Sequence, residues 1–192
     1  MTIPWADLPT AATAETLPVL LKGAWSRRAG DTEWTCRTML SHVVLGAVGY
    51  AGSLLAQPPD RPTGLISGTD RHASIHACIE AVEVAATFVS LAVRASQPDI
   101  RAYHPWGTSD PSGFAAMAGV EILVHSHDLT RTLGFEWSPP DELCAPILQR
   151  LFPDAPTGHT AGQTLLWCTG RVALPGIVQL GHGQWQWDGR VR

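Results

Sequence analysis

The densest group of side chains able to do chemistry lies in Gly119-Val120-Glu121-Ile122-Leu123-Val124-His125-Ser126-His127-Asp128. Glu121 and His125 are four apart, which puts them on one face of a helix, and Asp128 extends that face by three. Phe114, Met117 and Val124 share it. A carboxylate set in an apolar stripe is expensive unless it has a partner, and a divalent metal ion would satisfy both Glu121 and His125. His127 sits about 200° around the helix from His125, so the two cannot share an ion on a straight helix.

Two other histidine groups compete for attention. His42 lies on a second predicted helix, with the small residues Thr38, Gly46, Gly49 and Ser53 on its face. Small neighbours leave room for an ion, a water or a substrate; equally, the glycines allow close helix packing and His42 is then a hydrogen-bonded structural residue. His72 and His76 are four apart on a third predicted helix, and Glu80 continues the row. They flank the apolar stripe near the helix start, where a solvated face accounts for them and nothing forces a partner. No G-x-S-x-G, P-loop or G-x-G-x-x-G occurs in a suitable context.

The elements that must position these residues read mainly as helices. Residues 9–29 carry a stripe that includes Leu17, Leu20 and Trp25, with Pro18 as a kink or a delayed start. Thr35 caps a helix over 36–56, with Trp34 before it as a hydrophobic staple, and Pro58-Pro59 ends it. Thr69 or Asp70 caps a helix over 71–96, striped by Ile75, Ile79, Val82, Ala86, Val89 and Val93. Asp110-Pro111 opens a helix over 111–133, and Gly134 closes it. Short helices fit 141–152 and 161–169, and the glycine-rich tail from Ile177 to Trp187 reads as an extended arm or small hairpin. The expectation is an all-α fold: a four-helix bundle over 1–140 with a C-terminal extension, 141–192, packed on it. Such bundles build metal sites from facing helices.

Composition narrows the classes of function. The 192 residues include 45% hydrophobic but only 16% charged residues, which opposes disorder. One lysine and scattered arginines give no basic stripe for nucleic acid. Cys36, Cys78, Cys144 and Cys168 are widely spaced without a C-x-x-C, so reduced thiols in a cytoplasm are expected. No basic n-region opens the chain and no apolar run approaches 18 residues, so neither a signal peptide nor a membrane span is expected.

Three segments resemble one known family. Trp34-Thr35-Cys36-Arg37-Thr38-Met39-Leu40-Ser41-His42 is similar to W-[ST]-x-x-x-[LM]-x-x-H, Glu121-x-x-x-His125-x-x-Asp128-Leu129 to E-x-x-x-H-x-x-D-L, and Leu165-Leu166-Trp167-Cys168-Thr169-Gly170-Arg171 to L-L-x-x-T-G-R. These are patterns of the DinB/YfiT-like metal-binding four-helix proteins, in the branch that includes mycothiol-dependent maleylpyruvate isomerase. The resemblance implies one metal, usually zinc, held by His42, Glu121 and His125. Position 127 is His where many members have tryptophan, and the larger C-terminal domain of the isomerase has no counterpart here.

A His-Glu-His set leaves zinc a position for water or substrate. The family chemistry this implies is a low-molecular-weight thiol such as mycothiol acting on a small electrophile, by S-transfer or isomerisation. Metal-dependent hydrolysis, or a non-catalytic metal-containing binding module, are the alternatives. Asp128 is expected to orient His125 or a bound water. Arg171 is expected either to meet an anionic substrate group or to form a structural salt bridge. A small-molecule substrate and a homodimer complete the expectations.

Overall fold

The computed structural model describes residues 3–20, 25, 29, 34–181 and 183–191. Among them are six helices: α1 (Leu8–Leu20), α2 (Cys36–Ala56), α3 (Ile75–Ala95), α4 (Pro111–Leu133), α5 (Asp141–Leu151) and α6 (Ala161–Cys168). No strand occurs among the described residues; two isolated bridges, Ala102 to Ser109 and Leu174 to Ile177, are the nearest approach to a sheet. The fold is all-α, a bundle of α1 to α4 in which α2 packs on α3 and α4, and α1 on α4 and α3. The pair α5 and α6 continues from the α4 side, and Leu143, Cys144, Ile147, Leu151 and Leu165 join the same core as the bundle.

The two helices that matter most for the site are strongly punctuated. Thr35 caps α2, its side chain accepting from Thr38 N, and Gln57 closes it. Asp110 caps α4 through a 2.7 Å bond from Gly113 N, and Pro111 follows at the first turn, where a missing N–H is harmless. Gly134 ends α4 at φ 82°, a left-handed cap that glycine adopts without steric cost. Helix α4 is the central element. Phe114, Met117, Ile122, Leu123 and Leu129 are all buried, so its polar residues are held in fixed positions by packing.

Three sequence expectations need correction. The first helix does not run from 9 to 29: α1 spans Leu8–Leu20, residues 21–24 lie outside the described set, and Trp25 and Ala29 are not helical. Their backbone groups serve the entrance to α2 instead, with Ala29 N donating to Trp34 O at 2.8 Å and Arg37 N to Trp25 O at 3.3 Å. The third helix starts at Ile75, not 71. Asp70 spends its carboxylate on its own turn, accepting from His72 N at 2.8 Å, and Ser74 takes the cap by accepting from Ala77 N. Finally, α2 and α3 are each long and apolar enough to cross a membrane by length and composition alone, contrary to the reading that no run approaches that length. In the bundle Met39, Leu40, Val43, Val82 and Val89 face the core, whereas Leu45, Leu55, Val84, Phe88 and Leu91 are exposed.

The tail is an extended arm. It turns at Pro175-Gly176, where Leu174 and Ile177 exchange backbone hydrogen bonds of 3.0 and 2.9 Å. It then runs back along the bundle. Trp187 is buried, Asp188 N donates to Leu151 O, and Gly189 N donates to Trp106 O. Buried Arg150 locks this end: its Nη2 bonds Asp110 at 3.0 Å, Ser109 at 3.2 Å and Gly189 O at 3.4 Å. One guanidinium thus joins the cap of α4, the preceding loop and the arm.

Candidate metal centre

His42 on α2 and Glu121 and His125 on α4 meet across the helix pair. Oε2 of Glu121 is 3.4 Å from His42 Nε2 and 3.1 Å from His125 Nε2, and all three donor atoms lie within 4.8 Å of one another. Two donors bound to one ion at about 2.0 Å in a tetrahedral arrangement are roughly 3.3 Å apart, so both nitrogen–oxygen separations already suit a shared ion. The histidine rings meet edge to face, with centroids 5.1 Å apart, and both place Nε2 beside the carboxylate. Side-chain exposure is 12% for Glu121 and His125 and 33% for His42, enough for a ligand to reach the site from one side.

The carboxylate has a second neighbour that the sequence reading missed. The Tyr50 hydroxyl donates to Oε1 of Glu121 at 3.1 Å. Burial, and then the Glu121 charge, push the phenol well above its ordinary range. It therefore remains a proton donor at physiological pH. Residues 42, 46 and 50 step by four along α2, which puts all three on one face. Gly46 faces Glu121, and a Cβ there would make ordinary contact at 3.7 Å; Gly49 faces open space.

Electrostatics in the group are mutual. Burial opposes ionisation of Glu121, but hydrogen bonds and charge from His125 and His42 hold it below the usual carboxylate range. Burial likewise disfavours a charged His125, yet Asp128 and Glu121 together lift it from 6.5 to about 8. Asp128 sits 3.4 Å from His125 Nδ1, through Oδ2. With Nδ1 turned to a carboxylate, Nε2 is left as the ligating nitrogen. Asp128 is itself held by Arg171, whose Nη2 lies 2.9 Å from Oδ2. Burial pushes the Asp128 carboxyl up, and the His125 hydrogen bond and the Arg171 charge bring it below its ordinary value.

Arg171 arrives through the end of α6. Gly170 at φ 74° reverses the chain, and Arg171 N returns to Leu166 O at 2.7 Å. The guanidinium also donates to Thr169 O at 2.7 Å and lies over the Trp185 ring, 5.6 Å from its centroid. Both sequence-selected residues, Asp128 and Arg171, therefore stand beside the donor set, paired to each other.

A cavity of about 590 Å³ opens over the three donors, within the range usual for small-molecule sites. Its walls are mostly apolar: Val120 and Val124 from α4, Trp34 before α2, Trp106 from the loop before α4, and Trp185 and Trp187 from the arm. The ring of Trp34, just before α2, lies against His42, with centroids 4.4 Å apart. Trp106, Trp185 and Trp187 pack on one another, with centroid separations of 4.6 to 6.1 Å. His104 packs against Trp106 and Trp187 of this wall. Its Nδ1 accepts from Trp106 N at 3.1 Å, and burial, against the pull of Glu121, lowers its pKa to about 4. A neutral ring results at physiological pH.

The other candidates fall elsewhere. His72 lies in the turn before α3 and His76 on its first turn, both exposed, so they do not form a helical pair; Arg71 Nε donates to His72 Nε2 at 2.8 Å. His127 points away from the donors, as its position around α4 requires, and burial lowers its pKa. All four cysteines are free and buried, and none lines the cavity. Compared with family models, with curated proteins and with solved structures, the chain matches none.

Proposed function

We propose that His42, Glu121 and His125 hold a divalent ion, zinc by the choice of nitrogen and carboxylate donors, in an enzyme that uses a low-molecular-weight thiol on a small electrophile. The observation that carries this reading is the convergence of three donor atoms from two helices at the floor of a cavity large enough for a substrate. An ion at this position supplies Lewis acidity, keeping a thiol or water deprotonated near neutral pH and polarising an electrophile. The protein's own groups do the rest. Asp128 fixes the tautomer of His125, and Arg171 holds Asp128 in place while neutralising its charge. The tryptophan and valine walls exclude bulk water, which strengthens each electrostatic contact inside.

The thiol and the transferase or isomerase chemistry come from the resemblance to the DinB/YfiT-like proteins and their mycothiol-dependent branch. The metal reading is supported separately, by the geometry of the three donors. Elemental analysis of the purified protein is expected to find about one divalent ion per chain, lost in His42→Ala, Glu121→Ala and His125→Ala. A screen of small thiols against electrophiles is expected to find turnover that Glu121→Ala abolishes. Full metal occupancy in the His42→Ala/His125→Ala double variant would overturn the donor assignment. A bound ion without thiol-dependent turnover would instead favour hydrolysis or a binding module.

A further inference from the structure

We propose that Tyr50 is a positioning residue for the metal centre: its phenol holds one oxygen of Glu121, so that the carboxylate faces an ion with the other alone. The inference rests on the metal reading above and deepens it. The two carboxylate oxygens have divided roles in the structure. Oε2 lies 3.4 and 3.1 Å from the two histidine Nε2 atoms, whereas Oε1 accepts the Tyr50 hydroxyl at 3.1 Å.

Tyr50 is held there by groups other than the carboxylate. Its ring packs on Phe114 at 6.0 Å and on His104 at 6.1 Å, and it shares the His42 face of α2 with Gly46 between them. A Cβ at Gly46 would lie 3.7 Å from Glu121 Cγ and 3.9 Å from the Tyr50 ring, so phenol and carboxylate lie together over that glycine. The donor is thus fixed by packing before any ligand arrives, which is what a positioning role requires.

The chemical consequence follows from how carboxylates bind metals. A free carboxylate can turn both oxygens to one ion, and the second oxygen then occupies a position that a substrate would otherwise take. A hydrogen bond to Oε1 opposes that rotation. Tyr50 therefore keeps the coordination shell open on the cavity side and fixes the orientation of Oε2. Hydrogen bonds of this kind to ligating side chains are worth about 10- to 100-fold in metal affinity.

Cobalt(II) in place of the native ion tests this, because its visible absorption is strong with few ligands and weak with more. Tyr50→Phe removes only the hydroxyl and keeps the ring packing. The variant is expected to melt close to the parent, to bind zinc about 10-fold more weakly, and to show a weaker cobalt absorption as both oxygens of Glu121 engage. A purely structural role for Tyr50 would move the melting temperature and leave the cobalt spectrum alone. Unchanged zinc affinity and an unchanged spectrum in Tyr50→Phe overturn the inference and leave the metal centre standing. Failure of the parent protein to take up cobalt or zinc overturns the metal reading, and the inference with it.

Discussion

Asp128→Asn separates the structural and chemical contributions of the groups behind the donors. The substitution keeps the side chain's shape and removes its charge, in a position where the side chain is 5% exposed and touches both His125 and Arg171. Stripping one partner from a buried ion pair costs about 3–5 kcal/mol. The lower end applies here, because Arg171 keeps its bond to Thr169 O and its place over Trp185. Replacing the carboxylate partner of a ligating histidine weakens zinc binding by about 10- to 100-fold.

The pH dependence of that loss is the sharper observable. Zinc must displace a proton from His125, whose pKa is held at about 8 against burial by Asp128 and Glu121. At pH 6 this competition weakens apparent affinity by about 100-fold; if the pKa falls to its ordinary 6.5, by only about fourfold. The variant thus regains up to about 25-fold at pH 6, and the deficit that is full at pH 9 shrinks as pH falls. Competition with a chromophoric chelator from pH 6 to 9, with circular dichroism as a check on folding, measures this directly. A deficit independent of pH, or parental affinity at pH 9, would refute the role given to Asp128. The same shift sets a sign for the chelator-treated parent: a raised folded pKa stabilises fully below 6.5, and that contribution is lost as pH rises through about 8.

Three further outcomes are expected. His72→Ala and His76→Ala leave metal content unchanged, since both residues are exposed and apart from the donors; loss of the ion in either would move the site to α3. A variant lacking all four cysteines, if folded, keeps its metal and any thiol-dependent turnover, because the thiols are buried and burial pushes Cys168 to about 12; an inactive but metal-loaded cysteine-free protein would make a protein thiol the nucleophile. Gly162→Ala, whose Cβ would lie 2.3 Å from Pro139 O, destabilises by about 1–3 kcal/mol in denaturant titration, and an unchanged midpoint would contradict the packing of α5 against α6.

The parts of the fold legible in the sequence are those with local punctuation. Helices α2 and α4 have the expected limits because Thr35, Asp110-Pro111 and Gly134 act through bonds to their immediate neighbours. The start of α3 was expected at Thr69 or Asp70, but Asp70 is consumed by a local turn and Ser74 takes the cap. Periodicity alone put Glu121 and His125 on one face, but the meeting with His42 is a contact between distant segments, and only the family resemblance pointed to it. Tyr50 was within reach: extending the four-residue step from His42 through Gly46 finds it. Trp106, Trp185 and Trp187 were not, because their meeting depends on the route of an arm with no periodic pattern.

That arm also gives the site a history. A ribosome makes His42 first and the α4 donors next, and Trp185 and Trp187 only much later in the chain. The last residues made thus complete a chamber whose floor is built from residues made much earlier, because Trp185 and Trp187 join Trp106 in its wall. A protease that trimmed the end of the chain would open that wall without cutting any helix that bears a donor.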